Sequence, residues 1–207
     1  MNVIVLDCTL IVDIDGTLIP ILVDFDDLRR RVRSVLGVDE SLRPLGESLY
    51  KLRVDESLKK QAWRIIEEAE LESIKVLNNT DTEENSEAIK RAVSAGFRVV
   101  IVTTRSYITA RPILEKLGII DIVDEIVTRD YTPIRADQLR YITGKYRGQF
   151  VFIGDTDYDE IAAREVNVNF IRVKNYKELP RAVESSMQIC LKSVEYSVDL
   201  NTERTIS

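Results

Sequence analysis

Short apolar runs alternate along this chain with segments whose apolar residues recur every three or four positions. The runs are Leu10 to Val12, Val99 to Val102, Glu125 to Val127, Val151 to Ile153 and Asn169 to Val173, which read as buried strands. Glu83 to Ala95, Ile108 to Leu117, Ala136 to Thr143, Tyr158 to Val166 and Tyr176 to Glu184 carry the helical spacing between them. Such alternation predicts βαβ units, and so an α/β fold with a parallel central sheet covered by helices on both faces. Gly96 and Gly118 follow two of the helical segments where a left-handed C-terminal cap belongs. Pro112 is discordant inside its segment, and places the start of that helix nearer Ala110 than Ile108, because a missing N–H costs little in a first turn.

The stretch from Asp24 to about Asn79 breaks the alternation. It has almost no strand signal and spaces Leu28, Val32, Val35 and Leu36, then Leu49, Leu52, Leu58, Trp63, Ile66 and Leu71, amid dense charge. This pattern predicts two to four helices inserted into the α/β core. The expected organisation is a core of residues 1–23 and 80–195, a helical insertion at 24–79 and a polar tail at 196–207. Within the insertion, Arg29-Arg30-Arg31 and Glu67-Glu68 read as solvated helix faces.

Composition narrows the chemistry. With 29 Lys and Arg against 35 Asp and Glu among 207 residues, the net charge is −6, and no long basic run or aromatic-basic interleaving marks a nucleic-acid footprint. No apolar stretch approaches the ~18 residues of a membrane span, and Met1-Asn2-Val3 lacks the basic start of a secretory signal, so a cytoplasmic protein is expected. Cys8 and Cys190 have no metal-ligand spacing and read as two reduced, partly buried thiols. The chain has no histidine, which excludes a Ser-His-Asp triad, a His-ligated zinc and an imidazole base.

Four polar clusters stand at the ends of the apolar runs or open a helix. Asp13-Ile14-Asp15-Gly16-Thr17 follows the first run, Thr103-Thr104-Arg105 the second, and Gly154-Asp155-Thr156-Asp157-Tyr158-Asp159 the fourth, while Arg135 opens a helical segment. In an open parallel sheet, groups beyond the carboxyl ends of the strands share one rim. Carboxylates, a hydroxyl and a cation gathered there suit one phosphate and one hard metal ion. Taken singly, each cluster has a structural reading: Asp15-Gly16 as a turn, Thr103-Thr104 as a helix N-cap, Asp155 to Asp159 as the cap of the next helix.

Together these motifs resemble the phosphatases of the haloacid dehalogenase superfamily, with its Asp-x-Asp-Gly-Thr signature, a Ser or Thr after the second core strand, a Lys or Arg, and a final acidic motif. The resemblance implies a Rossmann-like three-layer sandwich with a small α-helical cap, and a phosphatase acting on a small phosphomonoester. By the same resemblance Asp13 is the nucleophile, Asp15 the acid/base, Thr103 a phosphate ligand and Arg135 the stabilising cation. Mg²⁺ is the implied cofactor, held by Asp13, the Asp15 backbone carbonyl, Asp155 and Asp159. The family usually carries Lys-Pro where this chain reads Thr132-Pro133-Ile134-Arg135, so Lys145 and Arg129 compete with Arg135, as Thr104 competes with Thr103. A phosphomutase and a metal-binding regulatory module without turnover are the alternatives.

Overall fold

In the computed structural model, five strands form one sheet: β1 (Cys8–Asp13), β2 (Arg98–Val102), β3 (Glu125–Val127), β4 (Gln149–Gly154) and β5 (Asn169–Arg172). Their spatial order is β3-β2-β1-β4-β5 and every pairing is parallel. Residues 7–203 other than 79 and 81 are described, with side chains as far as 191. Because a strand sends successive side chains to opposite faces, the apolar runs supply two cores. Leu10, Val12, Val99, Ile101, Val151 and Ile153 pack under α4 (Glu83–Ser94), α5 (Tyr107–Lys116) and α8 (Leu179–Glu203). Ile11, Val100, Val102 and Phe152 pack under α6 (Arg135–Lys145) and α7 (Asp157–Glu165). The result is the three-layer α/β sandwich that the alternation predicts.

Between β1 and α4 the chain inserts three helices, α1 (Phe25–Leu36), α2 (Leu45–Lys51) and α3 (Glu56–Val76). They share a third apolar cluster that includes Leu28, Val32, Leu36, Leu49, Ala62 and Ile66. Burying one such large side chain is worth roughly 1.5–3 kcal/mol, so these helices hold one another. Asp24 caps α1 by accepting from the Asp26 and Asp27 N–H groups, and Gly37 ends it in the left-handed conformation at φ 66°.

Several expectations are corrected. α5 begins at Tyr107, so Pro112 is internal rather than in the first turn. The N–H it lacks would have met the carbonyl of Ile108, a residue that is itself exposed. The segment that should end at Glu184 is a short 3₁₀ turn followed by α8, which continues to Glu203; 204–207 lie outside the described residues. The expected tail from 196 is thus helical for most of its length, and no Gly or Pro stands between Pro180 and Glu203 to end the helix. Cys8 and Cys190 form a disulfide, with Cα atoms 6.0 Å apart, instead of two reduced thiols. A sequence separation of 182 concealed this, whereas the fold lays α8 over the start of β1. Glu67 is half-buried rather than a fully solvated charge: its carboxylate accepts from the Ser106 hydroxyl at 3.1 Å. Among the described residues no helix is long and apolar enough to cross a membrane.

Candidate active site

β1 runs to β2 and β3 on one side, and the chain then crosses to β4 and β5 on the other. The strand order therefore reverses between β1 and β4, which opens a crevice at their carboxyl ends. Val12 lies beside Ile153 in that ladder, so Asp13 and Gly154 leave the sheet together, and Asp155 follows. One carboxylate oxygen from each of Asp13, Asp155 and Asp159 lies within 4.8 Å of the other two.

Each position has a local cause. After Asp13 the chain turns back: the Ile14 carbonyl accepts from the Leu18 and Ile19 N–H groups, and the Gly16 N–H donates to the Ile19 carbonyl at 2.9 Å. The Thr17 hydroxyl, fully buried in this turn, donates to Asp155 Oδ1 at 3.4 Å. Asp159 stands in the first turn of α7 in a capping box, its Oδ2 accepting from the N–H and hydroxyl of Thr156. Its Oδ1 faces the crevice and takes Arg135 Nε at 2.8 Å. The capping role and the site role of Asp159 thus hold together.

Arg135 is the first residue of α6 and is buried. Its Nη2 donates to Asp13 Oδ1 at 2.5 Å, and its Nη1 to Gln138 Oε1 at 2.9 Å. Gln138, which sequence reasoning missed, donates in turn to the Thr103 and Thr132 carbonyls, both at 2.9 Å. The competing cations are engaged elsewhere. Arg129 pairs with Glu70 and lies over the Trp63 ring, while Lys145 pairs with Glu125 at the far end of α6.

Thr103 is the first residue past β2, with its N–H bonded to the Val127 carbonyl and its hydroxyl accepting from the Arg105 N–H at 3.1 Å. Thr104 instead lies against the insertion: a Cβ on Gly46 would be 3.9 Å from its Cβ. Asp15 is outside the group of three carboxylates. Arg105 grips it with two hydrogen bonds, Nε to Oδ2 and Nη2 to Oδ1, both 2.7 Å. The partner lies 90 residues away in sequence, so no local pattern could have announced the pair. Glu70 was equally hidden, although its place four residues after the buried Ile66 on α3 puts a carboxylate in an apolar stripe.

Electrostatics mark Asp13 and Asp155 as short of positive charge. Burial pushes the Asp13 carboxyl well above the usual carboxylate range; Arg135 opposes this, and Asp159, Asp155 and Asp15 add to it. Burial and the neighbouring Asp159 push Asp155 up to about 6. Burial works against the Arg135 cation too, but Asp13 and Asp159 outweigh it and hold the guanidinium charged. One guanidinium against three oxygen donors leaves a deficit that a divalent cation with all-oxygen ligation fits.

The sequence model of the haloacid dehalogenase-like hydrolases matches residues 38–173, a stretch that begins after the Asp13 cluster and spans the Thr103, Arg135 and Asp155 clusters. A phosphoglycolate phosphatase of Cereibacter sphaeroides is 29% identical over 98 residues, which are 45% of this chain and 45% of that protein, so the similarity spans less than half of the relative. In fold, a hydrolase of Pseudomonas syringae aligns with a TM-score of 0.64 at 17% identity, covering 84% of this chain and 90% of that one. A predicted phosphoglycolate phosphatase of Haemophilus somnus aligns with a TM-score of 0.54 at 19% identity, covering 79% and 84%. With its parallel sheet, its strand-order reversal and a family match over residues 38–173, this chain belongs to the haloacid dehalogenase-like hydrolases.

Proposed function

We propose that the chain is a Mg²⁺-dependent phosphatase that hydrolyses a small phosphomonoester through an aspartyl phosphate on Asp13. The observation that carries this reading is the convergence of Asp13, Asp155 and Asp159 within 4.8 Å, with Arg135 bonded to Asp13. Asp13, Asp155, Asp159 and the Asp15 backbone carbonyl would hold the cation, which when bound supplies charge neutralisation between a carboxylate and a phosphate. The insertion at 24–79 acts as the cap over the crevice.

Every other role belongs to the chain. An Asp13 carboxylate oxygen bonds to phosphorus as the ester P–O bond breaks, and the leaving oxygen takes a proton from the Asp15 carboxyl. Water then attacks the aspartyl phosphate, gives its proton to the Asp15 carboxylate, and releases orthophosphate and free Asp13. Arg135 holds the Asp13 carboxylate in place and offsets charge that builds on the transferring group, while the Thr103 hydroxyl binds a phosphate oxygen. Phosphoglycolate, the compound for which the Cereibacter relative is named, is the first substrate to test.

Release of inorganic phosphate from a panel of phosphomonoesters, with and without Mg²⁺, tests the reading. Activity should require the cation, and Asp13→Asn should abolish it. Turnover surviving in that variant refutes the nucleophile, and transfer to a second sugar hydroxyl without phosphate release identifies a phosphomutase instead.

A further inference from the structure

Arg105 is among the most deeply buried side chains of the molecule, 1% exposed, and the roles above do not use it. Its guanidinium faces two ways. On one side Nε and Nη2 take both oxygens of Asp15. On the other, Nη2 donates to Ser73 Oγ at 3.0 Å and Nη1 to the Glu70 carbonyl at 3.3 Å, both on α3 of the insertion. α3 is fastened at the same place by the Glu70 carboxylate, which accepts from Arg129 Nη1 at 2.5 Å and from the Thr109 hydroxyl at 2.7 Å. A two-pronged guanidinium–carboxylate contact fixes the plane of the carboxylate as well as its place. The orientation of Asp15 is thereby set by a side chain that α3 itself holds.

We infer that Arg105 is a positioning residue for Asp15, and that seating of α3 against the core sets the orientation of Asp15 through Arg105. This rests on the reading of Asp15 as acid/base. When α3 lifts, Arg105 loses the Ser73 hydroxyl and the Glu70 carbonyl, and Asp15 loses its fixed direction. Closure of the insertion and readiness for proton transfer then become one event.

The test is kcat/KM along a series of phosphate esters from dinitrophenyl phosphate, whose leaving group needs no proton, through phenyl phosphate to an alkyl phosphate. This ratio reports P–O cleavage and not the later hydrolysis of the aspartyl phosphate. Arg105→Lys keeps the cation and loses the fork. The expected loss is on the order of 10²-fold for the alkyl ester, the scale of a misplaced reacting group, with dinitrophenyl phosphate nearly unaffected. Ser73→Ala should give the same selective pattern more weakly, and Arg105→Lys should add nothing in an Asp15→Asn background.

Equal losses on all esters, or additivity with Asp15→Asn, overturn the inference and leave Arg105 a structural residue. If Arg105→Lys does not fold, Ser73→Ala decides: a leaving-group dependence identical to that of the parent overturns the coupling to α3. Should Asp15→Asn itself slow every ester alike, the acid/base reading has failed and this inference falls with it. Selectivity in Asp15→Asn but not in the Arg105 and Ser73 variants sinks the inference alone.

Discussion

Gly16 occupies a point where no side chain fits. At φ +82° its backbone is left-handed, and a Cβ there would fall 2.3 Å from Asp155 Oδ2. Alanine must therefore push away a carboxylate assigned to the cation while adopting a conformation that costs an L-residue roughly 1–2 kcal/mol. Gly16→Ala is expected to cut phosphate release by about 10²-fold, the scale of a displaced reacting group, and to weaken the thermal stabilisation given by Mg²⁺. Both readouts unchanged would show that the Gly16 turn and Asp155 are independent. At this scale the sequence was informative where chemistry depends on adjacent residues, as in Asp13 to Thr17. It left Arg129, Arg135 and Lys145 open, because only the placement of α6 brings one of them within 2.5 Å of Asp13. It gave no sign of Arg105 on Asp15, a contact that exists only once β1 and β2 lie side by side.

Among the elements, α3 has the least ordinary buried face: Ala62 and Ile66 continue into Glu70 and Ser73. Apolar packing anchors its first half in the insertion, and polar contacts anchor its second half to the core. Burial pushes the Glu70 carboxyl upward, with Arg129 and Arg105 opposing it. Removing one partner of a buried ion pair leaves the other uncompensated, at a cost of roughly 3–5 kcal/mol. Glu67 lies 3.9 Å from Arg129 and can take up part of its charge, so Glu70→Ala belongs at the lower end of that range. Glu70→Gln, whose one carbonyl oxygen can still accept from Arg129 while its amide N–H donates to the Thr109 hydroxyl, should lose less. Denaturant midpoints of the two variants check the order, and a Glu70→Gln midpoint equal to that of the parent would mean that the carboxylate charge does not anchor α3. Element existence was legible because strands and helices differ in apolar period. The start of α5 and the end of α8 were not: Pro112 stands inside α5 despite the hydrogen bond it cannot make, and the length of α8 depends on nothing interrupting it.

For the whole molecule, the parallel sheet has one electrostatic consequence: it delivers three carboxylates and one guanidinium to a single crevice between β1 and β4. Asp155, with an ordinary value of 3.8, is pushed up to about 6 by burial and by Asp159, and Asp13 is raised as well. A carboxyl whose folded value exceeds its unfolded one binds its proton more tightly in the native state. Its contribution to stability is fully present below 3.8 and is lost as pH rises through about 6. The exposed, ion-paired Asp26 is lowered and contributes in the opposite sense, so the comparison must isolate the cluster. Without divalent cations, the melting temperature of the parent should fall between about pH 4 and about pH 7 relative to Asp155→Asn, which has no proton to lose there. Mg²⁺ should restore the parent at the upper pH and do little at the lower, because the ligands must be deprotonated to bind it. At a hundred times the dissociation constant the gain is about 2.7 kcal/mol. A melting temperature indifferent to Mg²⁺ at about pH 7, or raised equally at both ends of that range, would dissociate the carboxylate cluster from metal binding and with it the chemistry assigned to the crevice.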